Sequence, residues 1–373
     1  MTEPWKTRLE RQRSVLKEGS GHLLVFAWYS EGGPAPAGEP YMIEGQTGTL
    51  SEEFLQKHAY DLGIQGVRHC TRHMNVLEAA EDDSLHCIHI DWGTGACASL
   101  FTGRPVSFQE GTAYSTDTVI KSWDDIDRLK FDPENRWVKY ELDFWRGVSS
   151  AHVDGIAVNP HLYRSPLDLA NDLRGNRIFE DMYLAPEQVE RLVSKCADLI
   201  IELDRHYRTE IPLLREAPGG VWGVALPEPG LIGLNGDPVD LISPEMGERF
   251  NHPYIERLVD YAGDVYFHHH TLGVSRVSSV AKIRGLMVQQ FTPDPKCARV
   301  YDVLDETWVE ASKRVPIDIW QNLAEAPDVD AALEMMRRGR FIVRFYTPTL
   351  GECRRLIERI RRFDGRNGAS GVS

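Results

Sequence analysis

DVYFHHHTLG, residues Asp264 to Gly273, is a short β-type run, Val265-Tyr266-Phe267, that feeds three consecutive histidines and a glycine. A buried imidazole nitrogen needs a partner, so three adjacent rings cost stability if they do nothing. Two readings stand: a solvated turn, or a site at the carboxyl edge of a sheet. Side chains alternate across a strand, so His268 and His270 share one face and His269 takes the other.

The same pattern of an apolar run with a polar end recurs along the chain. HLLVFAW (His22 to Trp28) is near-continuously apolar, as strands of a parallel sheet covered on both faces are. LHCIHID ends at Asp91 before WGTG, GIAVN ends at Asn159, LMVQQF carries Gln289 and Gln290, and FIVRF precedes Tyr346. Strands are expected at 22–28, 64–68, 86–91, 155–159, 220–226, 265–270, 286–291 and either 316–320 or 341–345. Helical patterns lie between them. The clearest runs from Ala185 to Tyr207, with Pro186 in the first turn and Val189, Leu192, Val193, Cys196, Leu199, Ile200 and Leu203 as its apolar stripe. Ser243 caps another, with Pro244 at its first position. Strands and helices alternate at intervals of roughly 25–40 residues in the second half, which argues a parallel α/β fold. No glycine-rich dinucleotide fingerprint or Walker motif follows a strand. The expected fold is therefore a (β/α)8 TIM barrel over 22–363, with an N-terminal helical extension at 1–21 and a small, polar, disordered tail at 364–373. The Gly- and Pro-rich stretch from Ser30 to Pro40 has the length of a functional lid.

The chain has 373 residues, is 42% hydrophobic and carries a formal charge of −14, so it can bury a large core and lacks the basic stripe that nucleic acid requires. No apolar run approaches the roughly 20 residues that span a bilayer. The charged start, MTEPWKTRLERQRS, is unlike a signal peptide, which makes the cytoplasm the expected location. Six dispersed cysteines without a CxxC pair read as reduced core residues.

In a barrel, polar residues at strand ends face the pocket. His268, His270 and Asp91 are the candidate catalytic groups; Asp91 is either a general base or ligand, or a turn cap. Arg344 inside FIVRF needs a counter-charge, which is either a substrate carboxylate or a carboxylate on a neighbouring strand. Tyr346 shares its face. Gln289 or Gln290, Asn159, Trp28 and Tyr29 complete the candidate substrate contacts, and Trp28, Trp92 and Trp222 form a candidate aromatic wall.

Several segments together resemble the uroporphyrinogen decarboxylase superfamily, which also holds corrinoid-dependent methyltransferases. SPLDLANDLRGNRIFEDMYLAPEQVERLVSKCADLIIE, LISPEMGERFNHPYIERLVDY, VYFHHHTLG, IWQNLAEAPDVDAALEM and FIVRFYTPTLGECRRLIERI occur in the family's order and spacing, from about Ser122 to Arg362. The resemblance implies a (β/α)8 barrel with a deep cleft at its C-terminal face, often dimeric. VFAWYSEGGPAPAG lacks the arginines with which true uroporphyrinogen decarboxylases grip substrate carboxylates. His270 matches the zinc-binding histidine of the methyltransferases, but Leu272 stands where their first cysteine would be, and no second cysteine lies near Tyr346. A remodelled centre would use His268 or His270 with Glu228, Asp91 or Glu216 as nitrogen and oxygen ligands. The expected function is transfer of a methyl group from a small methylated metabolite to or from a corrinoid carrier protein. No D-x-H-x-x-G motif is present, so the corrinoid would arrive on a partner. The alternative is a cofactor-free decarboxylase or lyase acting on a small carboxylic acid or a porphyrinogen, with Arg344 holding the carboxylate.

Overall fold

A computed structural model describes residues 4–19, 23–29, 50–93, 95–109, 112–115 and 118–365. The stretch Ser30–Pro40 and all but the first two residues of the tail lie outside the described residues. Among the described residues the strands are β1 (Leu23–Tyr29), β2 (His86–His89), β3 (Val106–Gln109), β4 (Thr112–Ser115), β5 (Ile156–Asn159), β6 (Leu162–Arg164), β7 (Gly219–Val221), β8 (Val224–Leu226), β9 (Ile232–Asn235), β10 (Val265–His270), β11 (Val288–Thr292), β12 (Ile317–Asn322) and β13 (Phe341–Thr347). Seven of them form a wholly parallel sheet in the order β1-β13-β12-β11-β10-β9-β6. A second sheet runs β2-β5-β7-β8, with only the β7–β8 pair antiparallel.

The two sheets share one run of chain. β5 and β6 are separated only by Pro160, which cannot donate to a ladder, and His161. Beyond the break the Leu162 N–H donates to the Ile90 carbonyl at 2.8 Å and continues the contact with the β2 segment. Among the described residues no ladder joins β1 to β2. The free edge of β1 is satisfied instead by two buried carboxylates: Val25 N–H donates to Asp83 and Ala27 N–H to Asp82, each at 3.0 Å. The fold is thus parallel α/β, and among the described residues the two sheets do not close into the hydrogen-bonded barrel that was expected.

Two strand expectations change. Residues 64–68 lie within the helix Glu52–Ala80. Gly63 in it serves helix packing: a Cβ at Gly63 would sit 2.1 Å from the Phe144 carbonyl, and one at Gly147 2.0 Å from the Tyr60 carbonyl. That helix and Arg136–Ala151 therefore cross backbone to backbone. Residues 220–226 fold back as the β7–β8 hairpin, and the short glycine-containing β9 takes the place in the parallel sheet. Both candidates for the last barrel strand are strands, at 317–322 and 341–347, and both stand in the parallel sheet.

The hairpin enters the space that the sheets enclose. Val221, Val224 and Leu226 pack with Leu24, Phe26, Leu162, Tyr266, Val288 and Ile342, one apolar cluster drawn from the inner faces of the parallel strands. The N-terminal helix Pro4–Leu16 closes the same end: Val15 and Leu16 join the cluster, and the Gln12 amide donates to the Asp83 and Gly223 carbonyls and accepts from Ala225 N–H. No helix among the described residues is long and apolar enough to cross a membrane.

Candidate metal centre

Alternation sorts the inner from the outer residues at the carboxyl ends of the strands. Tyr266 belongs to the inner cluster, so His268 and His270 point inward, while Val265 and Phe267 join the outer core with the helices. His269 faces that outer side and meets Asp240 at 3.0 Å, Nδ1 to Oδ1. The other Asp240 oxygen accepts from His270 N–H at 2.8 Å, so one carboxylate fixes both the outer ring and the backbone of the inner one. Gly273 permits this approach, since a Cβ there would lie 1.7 Å from Asp240 Oδ1.

On the inner side, His268 Nδ1 pairs with Gln290 Oε1. The amide orientation is set by Gln290 Nε2, which donates to Thr292 Oγ1 at 2.8 Å. His270 Nδ1 lies 3.0 Å from Asp294 Oδ1, and the other Asp294 oxygen accepts from Leu272 N–H at 2.9 Å. His268 Nδ1 therefore faces an amide oxygen and donates to it, which makes its Nε2 the lone pair, whereas His270 Nδ1 lies near Asp294 without making a hydrogen bond. The two Nε2 atoms face each other at 3.2 Å, and His270 Nε2 is 3.5 Å from Asp237 Oδ1. Asp237 Oδ1 is buried and accepts no hydrogen bond. Ligand atoms of Asp237, His268 and His270 converge, all within 4.8 Å of one another.

Arg164 aims the carboxylate. It donates to Asp237 Oδ2 at 2.9 Å and also binds Asp168 at 2.7 Å and Asp172 at 3.1 Å. Burial would raise the Asp237 pKa, but Arg164 and the two histidines outweigh it and hold the carboxyl below the ordinary range. Burial, helped by the neighbouring His270, pushes His268 down to about 4. Two imidazole nitrogens and a carboxylate oxygen set this close form a donor set that a divalent cation can bridge. The donor set fits such an ion. The outer nitrogen of His268 is held by an amide oxygen, the arrangement that orients metal-ligating histidines, and that of His270 lies 3.0 Å from a carboxylate oxygen. Side-chain exposure of 30% at His270 and 37% at Asp237 leaves one side of the cluster open to the mouth.

Arg344 also points inward but is engaged. Its guanidinium makes a two-pronged contact with Asp318 at 2.8 and 2.7 Å, and donates to the Trp222 carbonyl at 2.8 Å. Tyr266 O–H donates to the same Asp318 at 2.7 Å, and the rings of Phe26, Trp28 and Trp320 surround the cation. Of the two sequence readings for Arg344, the neighbouring strand's carboxylate is present.

The remaining candidates divide. Asn159 is buried inward and donates to the His161 carbonyl at 2.8 Å. Asp91 accepts from Gly93 N–H at 3.1 Å in a turn beyond β2. Tyr346 is half-exposed at the rim. Tyr29 packs outward, its hydroxyl 3.5 Å from the Val76 carbonyl, and Gln289 faces outward to the Val277 carbonyl at 3.4 Å. Gln290 takes the inward role. Trp92 belongs to the outer core, whereas Trp222 lies inside. Glu216 is exposed and Glu228 pairs with Arg13 at 3.4 Å, so neither stands with the histidines. The carboxylate that does, Asp237, was missed because the strand before it was; NGDP (Asn235–Pro238), a turn after IGLN, is the signal that could have found it.

Trp222 holds the hairpin tip. It has φ 49° and Gly223 φ 89°, the two positive values of a tight two-residue hairpin turn. Such a turn favours Asn-Gly; a bulky side chain there costs on the order of 1–2 kcal/mol. The indole sits edge-on to His268 at 5.1 Å and to His89 at 5.7 Å, and lies 5.0 Å from the Trp320 ring.

No protein-family model matches this chain, and no curated protein matches it.

Proposed function

We propose that the chain is a metal-dependent enzyme built as a (β/α)8 barrel, left open between β1 and β2, with Asp237, His268 and His270 holding a divalent ion at its mouth. The convergence of two imidazole nitrogens and one carboxylate oxygen within 4.8 Å of one another carries this reading. A bound ion of this kind polarises the heteroatom of a small substrate. The chain's residues hold and orient that site: Arg164 aims Asp237, Gln290 fixes the His268 tautomer, Asp294 stands beside His270, and Asp240 fixes the strand end. Within the resemblance to the uroporphyrinogen decarboxylase superfamily, the reaction that suits this centre is methyl transfer between a small methylated metabolite and a corrinoid carried by a partner protein. Zinc is the metal implied, bound by nitrogen and oxygen instead of sulfur. The cofactor-free decarboxylase reading is less well supported, because Asp318 already neutralises Arg344.

Metal analysis of the purified protein after zinc loading and desalting tests the centre. About one equivalent, lost in His270→Ala, is expected; a folded wild-type protein that retains no zinc overturns it. The zinc-loaded protein mixed with cob(I)alamin and small methylated alcohols, amines or thioethers tests the reaction. Formation of methylcobalamin with one of them is expected, and failure with all of them counts against methyl transfer.

A further inference from the structure

We propose that Trp222 is the floor of the substrate pocket, a platform on which the apolar face of a small, neutral or cationic metal-bound molecule lies. The proposal rests on the metal reading above and specifies what the site would bind. Three observations carry it. The indole stands at the tip of a hairpin inserted into the enclosed space, edge-on to the ligand His268 on one side and to His89 on the other. Its backbone adopts a left-handed conformation that an Asn would take at less cost, and backbone strain of this kind collects at functional sites. Its carbonyl is held by Arg344, which is itself anchored by Asp318, so the ring's position is imposed by the surrounding strands. Trp222 is partly exposed, while the hairpin residues on either side of the turn, Val221 and Val224, are fully buried. The same geometry gives Arg344 the role of a positioning residue acting through Trp222.

The ligand class follows from charge. Arg164 is matched by three carboxylates and Arg344 by Asp318, so neither inward arginine offers an unpaired cation to a polyanion. Asp91, Asp237 and Asp294 make the mouth acidic. A substrate with one polar end for the metal and an aliphatic or aromatic face for the indole fits these surroundings.

The test uses the zinc-loaded full chain with two metal-directed probes that differ only in the apolar group, acetohydroxamate and benzohydroxamate, measured by calorimetry. Wild-type protein should favour benzohydroxamate. Trp222→Asn suits the turn, and should keep zinc content and melting temperature while reducing that preference by about fivefold to tenfold. Trp222→Phe should retain most of it. A zinc-replete Trp222→Asn protein with the wild-type preference overturns the platform alone. Should Trp222→Asn unfold, the Phe variant decides: equal loss of preference and of stability would make the ring a core residue only. Wild-type protein without zinc uptake overturns the metal reading and the platform together.

Discussion

The Arg344 and His268 clusters lie on the same inner face of the same sheet, both buried and polar, yet one is closed and the other open. Around Arg344 the guanidinium meets Asp318, Tyr266 and the Trp222 carbonyl, and three aromatic rings cover the cation. Around His268 only its own outer nitrogen is matched by a hydrogen bond to an amide, while His270 Nδ1 and Asp237 Oδ1 accept or donate none. A buried polar group must be paired or cost free energy. The first cluster therefore supports the fold and holds Trp222, whereas the second keeps unpaired donor atoms that could hold a cation.

Breaking the closed cluster should give the largest effect. Asp318→Ala leaves Arg344 buried without its counter-ion and should destabilise the protein by about 3–5 kcal/mol in urea unfolding. Asp318→Leu combined with Arg344→Met should recover much of that loss. If Asp318→Ala is nearly neutral, the two clusters do not differ as argued.

Breaking the open cluster should spare the fold and remove the metal. His270→Ala is expected to weaken zinc binding by more than about 100-fold in competition with a chelator, with a melting temperature within a few degrees of wild type. Removing an outer partner should be milder: Gln290→Leu should weaken zinc by about 10- to 100-fold, because the His268 tautomer is no longer fixed. Gln289→Leu, on the outward face, should leave zinc affinity unchanged, and this contrast checks which of the paired glutamines points inward.

The smallest effect concerns pH and a second pair of buried histidines. Burial pushes His89 down to about 4, against the pull of Asp91. Burial acts in the same direction on His161, but Glu141, 3.2 Å away, and Cys97 outweigh it and raise this ring to about 10. His89 is neutral when folded, so between pH 6.5 and 4 the unfolded chain binds the extra proton. Stability should then fall on acidification through that window, by at most about 1.4 kcal/mol per pH unit for one proton. His161 has the opposite sign: its contribution is complete below pH 6.5 and is lost as pH rises towards 10. Unfolding curves of His89→Gln should show a flatter acid limb than wild type, and those of His161→Gln a flatter alkaline limb.

Much of this contrast is legible in DVYFHHHTLG and FIVRF. A period of two separates His268 and His270 from His269, and an arginine within an apolar strand announces a counter-charge. Alternation also distinguishes Gln290 from Gln289 once the register of β11 against β10 is known, but LMVQQF alone allows either. Asp237 was not legible, because it follows a four-residue strand with a glycine, too short for periodicity to register. Residues 64–68, inside the helix Glu52–Ala80, read as a strand because the apolar run is short. The close helix crossing that requires Gly63 depends on Gly147, far away in the chain.

The chain's own order of residues determined which short runs are apolar on both faces, which ends are polar, and which way each histidine of the triplet points, since these follow from local periodicity. Tertiary structure decided which carboxylate meets which base: Asp318 for Arg344, Asp237 and Asp294 for the inner histidines, Asp240 for the outer one. It also placed Trp222 beneath His268. Such pairings join strand ends and loops that only a folded sheet brings within a few ångströms, and electrostatic and ring contacts act over that distance and no further.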